Sequence, residues 1–375
     1  MTETMSGKER IAAAIRLQPT DRTPVVPYID HKFPCRQQGV VQAEAYRDPD
    51  KARQAMADTF DALGGYDATF WPGVGSYLEW SLGQGPMKIE RPGRELPEEA
   101  VLQMHEEELI TAEDYDRLIE VGWKQFVSEL YTRVWRRPPE VIERRREMWL
   151  DQAVRDIKAW AAKGVSTLTG ATVYTPLMAL SCSRTVIQFT LDLYRRPDKV
   201  AAAMDAMVGD LIDYTLYVVG RTGIPCVGVI LERGSGFYYP LRFFERFEFA
   251  YLKQMVKAFV ARDITPVLHF DTDWTINLPY LKELPKGKCV CELDSTTDIF
   301  KAKEILKGHM CIMGDVPASL LAVGSAQQVE DYCKRLIDVI GEGGGFILST
   351  GCVCPVDAQF DNVKAMLDTG KGYLP

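Results

Sequence analysis

The stretch Thr265-Pro-Val-Leu-His-Phe-Asp-Thr-Asp-Trp274 contains the pattern on which the fold prediction depends. Residues 266–268 are a short apolar run of the kind that forms a buried β-strand, and His269 ends this run. Polar residues follow at once, beginning with Asp271. Short buried strands that end in polar loops are typical of parallel sheets, in which the chain returns through helices.

The same pattern recurs along the chain and alternates with segments of helical periodicity. The predicted strands are residues 24–28, 66–71, 165–170, 226–231, 266–269, 288–293, 310–314 and 346–350. Eight strand–helix units favour a closed (β/α)8 barrel. An open, doubly wound sheet is the alternative, and it is disfavoured because no Gly-x-Gly-x-x-Gly motif follows any predicted strand.

The expected fold class is therefore α/β, with one (β/α)8 TIM barrel formed by residues 1–375. A helix predicted over residues 7–17 extends the barrel at its N-terminus. Residues 73–163 interrupt the alternation after the second strand with aromatic residues, prolines and dense charge. We expect this segment to be a helical insertion or lid within the same domain, which could cover an active site.

The composition excludes several classes of protein. The 375 residues are 46% hydrophobic and 26% charged, with a formal net charge of -8, so nucleic acid is a poor prospective partner. No apolar run reaches the roughly 18 residues that suggest a membrane span. Residues 1–10 lack the apolar stretch of a secretory signal, so we expect a cytoplasmic protein. Nine cysteines are an odd number for a disulfide framework, and we expect most to be free thiols.

Polar or aromatic side chains end several predicted strands, where the chemistry of a barrel enzyme lies. They are Trp71, Glu232, His269, Asp271, Glu292, Asp294, Asp315 and Cys352. His269, Asp271 and Cys352 offer ligand types that suit zinc, and three protein ligands are typical of a catalytic zinc site. A structural interpretation stays open for each: a core histidine, a turn-capping carboxylate and a small buried thiol.

The chain resembles the uroporphyrinogen decarboxylase superfamily in the order of its motifs. These motifs are KER at 8–10, TDRTPV at 20–25, GSGFYYP at 234–240, FFERF at 243–247, the His-x-acid loop at 269–271, GDVP at 314–317, and Gly351-Cys352 before Pro355. The resemblance covers most of the chain, with residues 73–163 the weakest part.

Two branches of the superfamily are candidates. Decarboxylases of the family carry an N-terminal Arg-x-Ala-Gly-Arg motif, which is absent from residues 28–36. Cobalamin-linked methyltransferases use a His-x-Cys…Cys zinc site, which His269 and Cys352 match at its first and last positions, whereas Asp271 replaces the middle cysteine. Resemblance to this branch implies Zn²⁺, a corrinoid (cobalamin) carried by a partner protein, and a small methylated substrate. A homodimer stays open.

The carboxylate of Asp271 points to the group that the metal activates. Thiolate ligands reduce the Lewis acidity of zinc, whereas a carboxylate gives a harder ion that suits an oxygen-bearing substrate. The leading hypothesis is transfer of a methyl group from a methoxy or aryl methyl ether compound to a Co(I) corrinoid. The alternatives are transfer from methylcorrinoid to a thiol or tetrahydrofolate, and a metal-free carboxy-lyase.

Further residues receive candidate roles around this site. Glu232 is a fourth ligand or a proton donor, and Asp315 is a second catalytic carboxylate. Cys311 and Cys354 stay open, with Glu232, as an additional zinc ligand. Aromatic residues around the predicted mouth suit an aromatic substrate, although such residues are more often core. They are Trp71, Phe237, Tyr238 and Trp274, together with Tyr77 and Trp80.

Overall fold

The structure is a computed structural model that describes residues 3–74 and 81–375. The strands are β1 (Ala68–Thr69), β2 (Lys88–Glu90), β3 (Gln103–His105), β4 (Ser166–Thr167), β5 (Ala171–Tyr174), β6 (Cys226–Ile230), β7 (Thr265–Phe270), β8 (Val290–Leu293), β9 (Cys311–Val316) and β10 (Phe346–Thr350).

The helices are α1 (Gly7–Ile15), α2 (Lys32–Gln37), α3 (Gln42–Arg47), α4 (Pro49–Ala62), α5 (Asp114–Trp135), α6 (Pro139–Ala162), α7 (Pro176–Arg184), α8 (Val186–Arg195), α9 (Pro197–Thr222), α10 (Leu241–Phe243), α11 (Ala250–Val260), α12 (Ile299–Leu306), α13 (Ala318–Val323), α14 (Ala326–Val339) and α15 (Phe360–Gly372). A π-helix (Phe244–Phe249) joins α10 to α11, and a 3-10 helix (Leu278–Glu283) precedes β8.

The parallel strands are arranged as a ring. Six of them pair in the order β10-β9-β8-β7-β6-β5, and β1 pairs with β4. The consecutive strands β4 and β5 connect the two sheets, because β4 pairs with β1 whereas β5 pairs with β6. On the other side, the Leu348 N–H donates to the Pro24 carbonyl and the Asp67 N–H donates to the Val25 carbonyl, so the first strand segment lies between β10 and β1. The predicted (β/α)8 barrel fold is confirmed.

The first two strand segments are shorter than the sequence predicted. Residues 24–28 make one isolated bridge, between Val25 and Leu348, and the second segment is reduced to β1. Pro24 and Pro27 explain the first case, because proline has no N–H to donate to a neighbouring strand. The third segment is longer than predicted and reaches Tyr174 as β4 and β5.

Alternation along the strands separates the barrel interior from the outer helical layer. Val267, Val290 and Met313 pack together inside the barrel, whereas Leu268 and Ile312 pack in the large core cluster with residues of the surrounding helices. Residues two positions beyond an interior valine therefore face inward at the carboxyl end of the ring.

The segment after the second strand contains the antiparallel β2–β3 pair and the long helices α5 and α6. Both helices contact α9. In the described part of the chain, no helix combines the length and apolar character needed to cross a membrane.

Candidate metal centre

Three side chains from two strand ends meet at the mouth of the barrel. His269 Nε2 lies 3.3 Å from Asp271 Oδ1 and 3.9 Å from Cys352 Sγ. Asp271 follows the end of β7 by one residue and Cys352 follows β10 by two, so both lie at the carboxyl edge of the sheet. All three donor atoms lie within 4.8 Å of one another, and no other such group of three occurs among residues 3–74 and 81–375.

These residues fit a zinc ion. Tetrahedral zinc with bonds of about 2.0–2.3 Å separates neighbouring ligand atoms by roughly 3.3–3.8 Å, which is close to the separations of His269 Nε2 from its two neighbours. Asp271 Oδ1 is buried and makes no hydrogen bond of good geometry to the residues that the structure describes. A buried carboxylate oxygen without a hydrogen-bond donor is suited to a metal.

Glu292 orients the imidazole of His269. It is fully buried on β8, is paired in register with His269, and places Oε2 2.5 Å from Nδ1. A carboxylate at Nδ1 favours the proton on that nitrogen and leaves Nε2 to face Asp271 and Cys352. Burial alone would lower the pKa of His269, but Glu292 and Asp271 outweigh it and raise that pKa. A proton and a metal ion therefore compete for Nε2.

Glu232 lies two residues after β6, at the same carboxyl edge of the sheet, and it interacts electrostatically with Asp271 and His269. Its burial, with a further contribution from the negative charge of Asp271, raises the pKa of Glu232 to about 7. Burial also raises the pKa of the Cys352 thiol, and His269 opposes this effect. A carboxyl group with a pKa near neutrality can donate or accept a proton during a reaction, so its environment is compatible with the predicted role of Glu232 as a proton donor. Glu232 is not in the group of three ligand atoms, and its alternative role as a fourth ligand stays a prediction.

Comparison with known proteins places this site in a family. The model of the family described as Uroporphyrinogen decarboxylase (URO-D) matches residues 152–373. The chain belongs to the uroporphyrinogen decarboxylase family. The resemblance predicted from the sequence motifs is confirmed, and the matched region contains all three residues of the candidate metal centre.

Two curated proteins similar to this chain are described as methylcobamide:CoM methyltransferase MtbA, from Methanosarcina mazei and Methanosarcina acetivorans. Each is 24% identical over 182 residues, which are 48% of this chain and 52% of the relative. The chain thus spans about half the length of the curated relatives it matches. A solved structure described as a methyltransferase from Methanosarcina mazei matches 98% of both chains with a TM-score of 0.69 and 16% identity, and it shares the fold.

Asp315, the second predicted catalytic carboxylate of this family member, has a partner in the outer helical layer. Its Oδ1 accepts a hydrogen bond of 2.7 Å from the hydroxyl of Tyr332 on α14. Burial raises the pKa of Asp315 to about 7. The structure therefore pairs Asp315 with Tyr332 and does not include it in the group around His269, so its catalytic role stays a prediction.

The predicted substrate-binding aromatic residues lie in different environments. Trp71 is buried and stacks on Trp149 with 5.6 Å between ring centroids. Trp274 is also buried, and its Nε1–H donates to the Asp271 carbonyl at 2.6 Å, so it supports the backbone that carries a candidate ligand. Phe237 and Tyr238 are exposed, whereas Tyr77 and Trp80 lie outside the described residues.

The two thiols left open as extra ligands do not join the group of three. Cys311 begins β9, at the opposite end of that strand from the mouth, and it packs inside the barrel. Cys354 is buried and directs Sγ toward the Pro355 carbonyl at 3.9 Å. Neither belongs to the cluster of ligand atoms around His269.

Tyr28 borders the candidate metal centre and was missed by the sequence analysis. Its ring lies edge-on to the His269 imidazole, 6.2 Å away, and stacks on Phe70 at 4.0 Å. The Tyr28 N–H donates to Thr350 Oγ1, and its carbonyl accepts from the Cys354 N–H, which fixes it beside the loop after β10. The only signal in the sequence was its position at the end of the first predicted strand.

Proposed function

We propose that this chain is a zinc-dependent methyltransferase that moves a methyl group from a methoxy or aryl methyl ether compound to the Co(I) corrinoid of a partner protein. The observation that carries the proposal is the convergence of His269, Asp271 and Cys352 at the barrel mouth. The two relatives described as methylcobamide:CoM methyltransferases support chemistry with a methylated corrinoid.

Zinc would be held by the imidazole Nε2, the carboxylate and the thiolate. A bound zinc ion supplies Lewis acidity, which makes an ether oxygen a better leaving group. In the proposed reaction the methyl carbon would pass to the corrinoid acceptor as the CH3–O bond breaks, and the electron pair of that bond would stay on the oxygen. That oxygen then needs a proton.

Glu232 is the residue that we assign to this proton transfer. Its carboxyl group has a pKa of about 7, so a substantial fraction holds a proton at neutral pH. The negative charge of Asp271 contributes to the raised pKa of Glu232, which supports a role for Glu232 near the candidate ligand set. The exposed rings of Phe237 and Tyr238 are the aromatic surface that the proposal assigns to an aromatic substrate.

A second candidate function is the transfer of a methyl group from methylcorrinoid to a thiol. The names of the two curated relatives favour it, because they describe methyl exchange between methylcobamide and CoM. The carboxylate of Asp271 favours the first candidate, because a harder zinc ion activates an oxygen donor better than a thiol. The two candidates differ in the direction of transfer and can be separated in one assay.

The proposal is tested by metal analysis followed by methyl transfer. We expect about one zinc ion per chain in the wild type, and loss of both zinc and activity in His269→Ala and Cys352→Ser. Cys354→Ser is the matched control, because it alters a neighbouring buried thiol outside the group of three. Transfer is followed spectroscopically with a Co(I) corrinoid and methoxylated aromatic compounds, and in reverse with methylcobamide and a thiol. A wild type without bound zinc, with full activity in His269→Ala, would contradict the proposal.

A further inference from the structure

The backbone next to Asp271 has a conformation that its sequence does not favour. Thr272 has a φ angle of +71°, in the left-handed region, which β-branched residues rarely adopt. This conformation turns the chain immediately after the candidate ligand. Surrounding contacts must stabilise such a residue, because the left-handed conformation costs roughly 1–3 kcal/mol.

Asp294 makes the most direct of these contacts. Its Oδ2 accepts a hydrogen bond of 2.8 Å from the Thr272 N–H, and also one of 2.9 Å from the Thr296 hydroxyl. Its Oδ1 accepts from the Thr296 N–H at 2.8 Å. Asp294 follows β8, the neighbour of β7, so its carboxylate is fixed in one loop by Thr296 and reaches the next loop at Thr272.

Three further hydrogen bonds hold the backbone between Asp271 and Trp274. The Thr297 hydroxyl donates to the Thr272 carbonyl at 2.9 Å, and the Trp274 N–H donates to the Thr297 hydroxyl at 2.9 Å. The indole N–H of Trp274 donates to the Asp271 carbonyl at 2.6 Å. The groups in these three hydrogen bonds are neutral, whereas the hydrogen bond from the Thr272 N–H to the Asp294 carboxylate is charge-assisted, which is the stronger kind.

We propose that Asp294 is a positioning residue for the metal centre. By holding the Thr272 N–H, it sets the backbone turn that directs the Asp271 carboxylate toward His269 and Cys352. Asp294 itself is outside the group of ligand atoms. This inference rests on the proposed function, because it takes those three residues to be the metal ligands.

The test measures zinc affinity in the full chain by competition with a chromophoric chelator, together with the thermal stability of each metal-free variant. Asp294→Ala is expected to lower zinc affinity about 10- to 100-fold, the effect typical of residues that orient metal ligands. Asp294→Asn keeps one acceptor oxygen for the Thr272 N–H and is expected to retain most of the affinity. Cobalt(II) bound to the variants reports the ligand geometry through its visible spectrum, which is expected to change in Asp294→Ala.

Asp298→Ala is the matched control. Asp298 lies in the same loop and caps α12 by accepting from the Phe300 and Lys301 N–H groups at 2.9 and 3.2 Å. Its removal is expected to lower thermal stability and leave zinc affinity within about 2-fold of wild type, because capping affects the helix alone. Equal zinc affinity in Asp294→Ala and wild type, or equal losses in Asp294→Ala and Asp298→Ala, overturns the inference and leaves the proposed function standing. A wild type that binds neither zinc nor cobalt overturns both.

Discussion

Glu248 is expected to make the stability of the barrel depend on pH. It is fully buried in the π-helix Phe244–Phe249, where Oε2 accepts a hydrogen bond of 3.1 Å from the Thr175 hydroxyl. Its Oε1 is buried without a hydrogen-bond partner among the described residues. Burial raises the pKa of Glu248 from its ordinary value of 4.5 to about 8. The folded protein therefore holds this carboxyl group in its protonated form at neutral pH.

The effect on stability follows from the two pKa values. Below pH 4.5 both the folded and the unfolded chain hold the proton, and Glu248 carries no penalty. Between pH 4.5 and about pH 8 the unfolded chain has released the proton and the folded chain still holds it, so the free energy of unfolding falls by about 1.4 kcal/mol per pH unit. At pH 7 the loss is about 3 kcal/mol, and beyond pH 8 it levels off at about 5 kcal/mol because both states are then ionised.

Glu248→Gln removes this penalty, because the amide has nearly the same shape and cannot ionise. Urea unfolding of both proteins at pH 5, 6, 7 and 8 should show the variant gaining stability over wild type as pH rises, by about 3 kcal/mol between pH 5 and pH 7. Glu245→Gln, on the exposed side of the same π-helix, should stay within about 0.5 kcal/mol of wild type throughout. A difference between Glu248→Gln and wild type that is constant from pH 5 to pH 8 would refute the reasoning.

Arg10→Met should lower the free energy of unfolding by about 3 kcal/mol in urea, because it removes the buried guanidinium group that pairs with Asp21 and Asp67 and leaves Asp67 with Arg22 as its remaining cation among the described residues. Glu292→Gln removes the charge at His269 Nδ1 and should weaken zinc binding about 10- to 100-fold in chelator competition, while a change below 2-fold would contradict the orienting role. Tyr28→Leu should raise KM for an aromatic methyl ether and leave zinc content unchanged, whereas Tyr28→Phe should behave like wild type. Equal KM values in the two variants would exclude a role for the ring.

The barrel could be predicted because each strand is a short, buried run of residues that can be recognised from its own stretch of sequence. The predicted strand 346–350 coincides with β10, and 226–231 differs from β6 by one residue. Residues 24–28 fail as a full strand for a reason also present in the sequence, the missing N–H groups of Pro24 and Pro27. Short elements that depend on tertiary packing, such as α2 and α13, had no comparable signal.

The candidate site was predictable only where the position in a strand decides the direction of a side chain. His269 and Asp271 follow the inward residue Val267 at two-residue steps, which places them at the mouth. The neighbours of Tyr28 depend on closure of the ring, since its N–H donates to Thr350, 322 positions away. The hydrogen bond between Asp315 and Tyr332 on α14 likewise depends on how that helix packs, which the pattern of residues along a strand cannot predict.

The charges around the site indicate how a carboxylate would tune it. With zinc bound and the proton of His269 on Nδ1, the proposed ligand set would carry two negative charges, from the Asp271 carboxylate and the Cys352 thiolate. A cysteine at position 271 would give the same total, so the exchange of thiolate for carboxylate changes the softness of the donor and not the net charge. Glu232 adds no charge while it holds its proton, which burial and Asp271 favour. Under the proposed function, a neutral, harder zinc centre beside a protonated carboxyl group would suit a leaving oxygen that requires both polarisation and a proton.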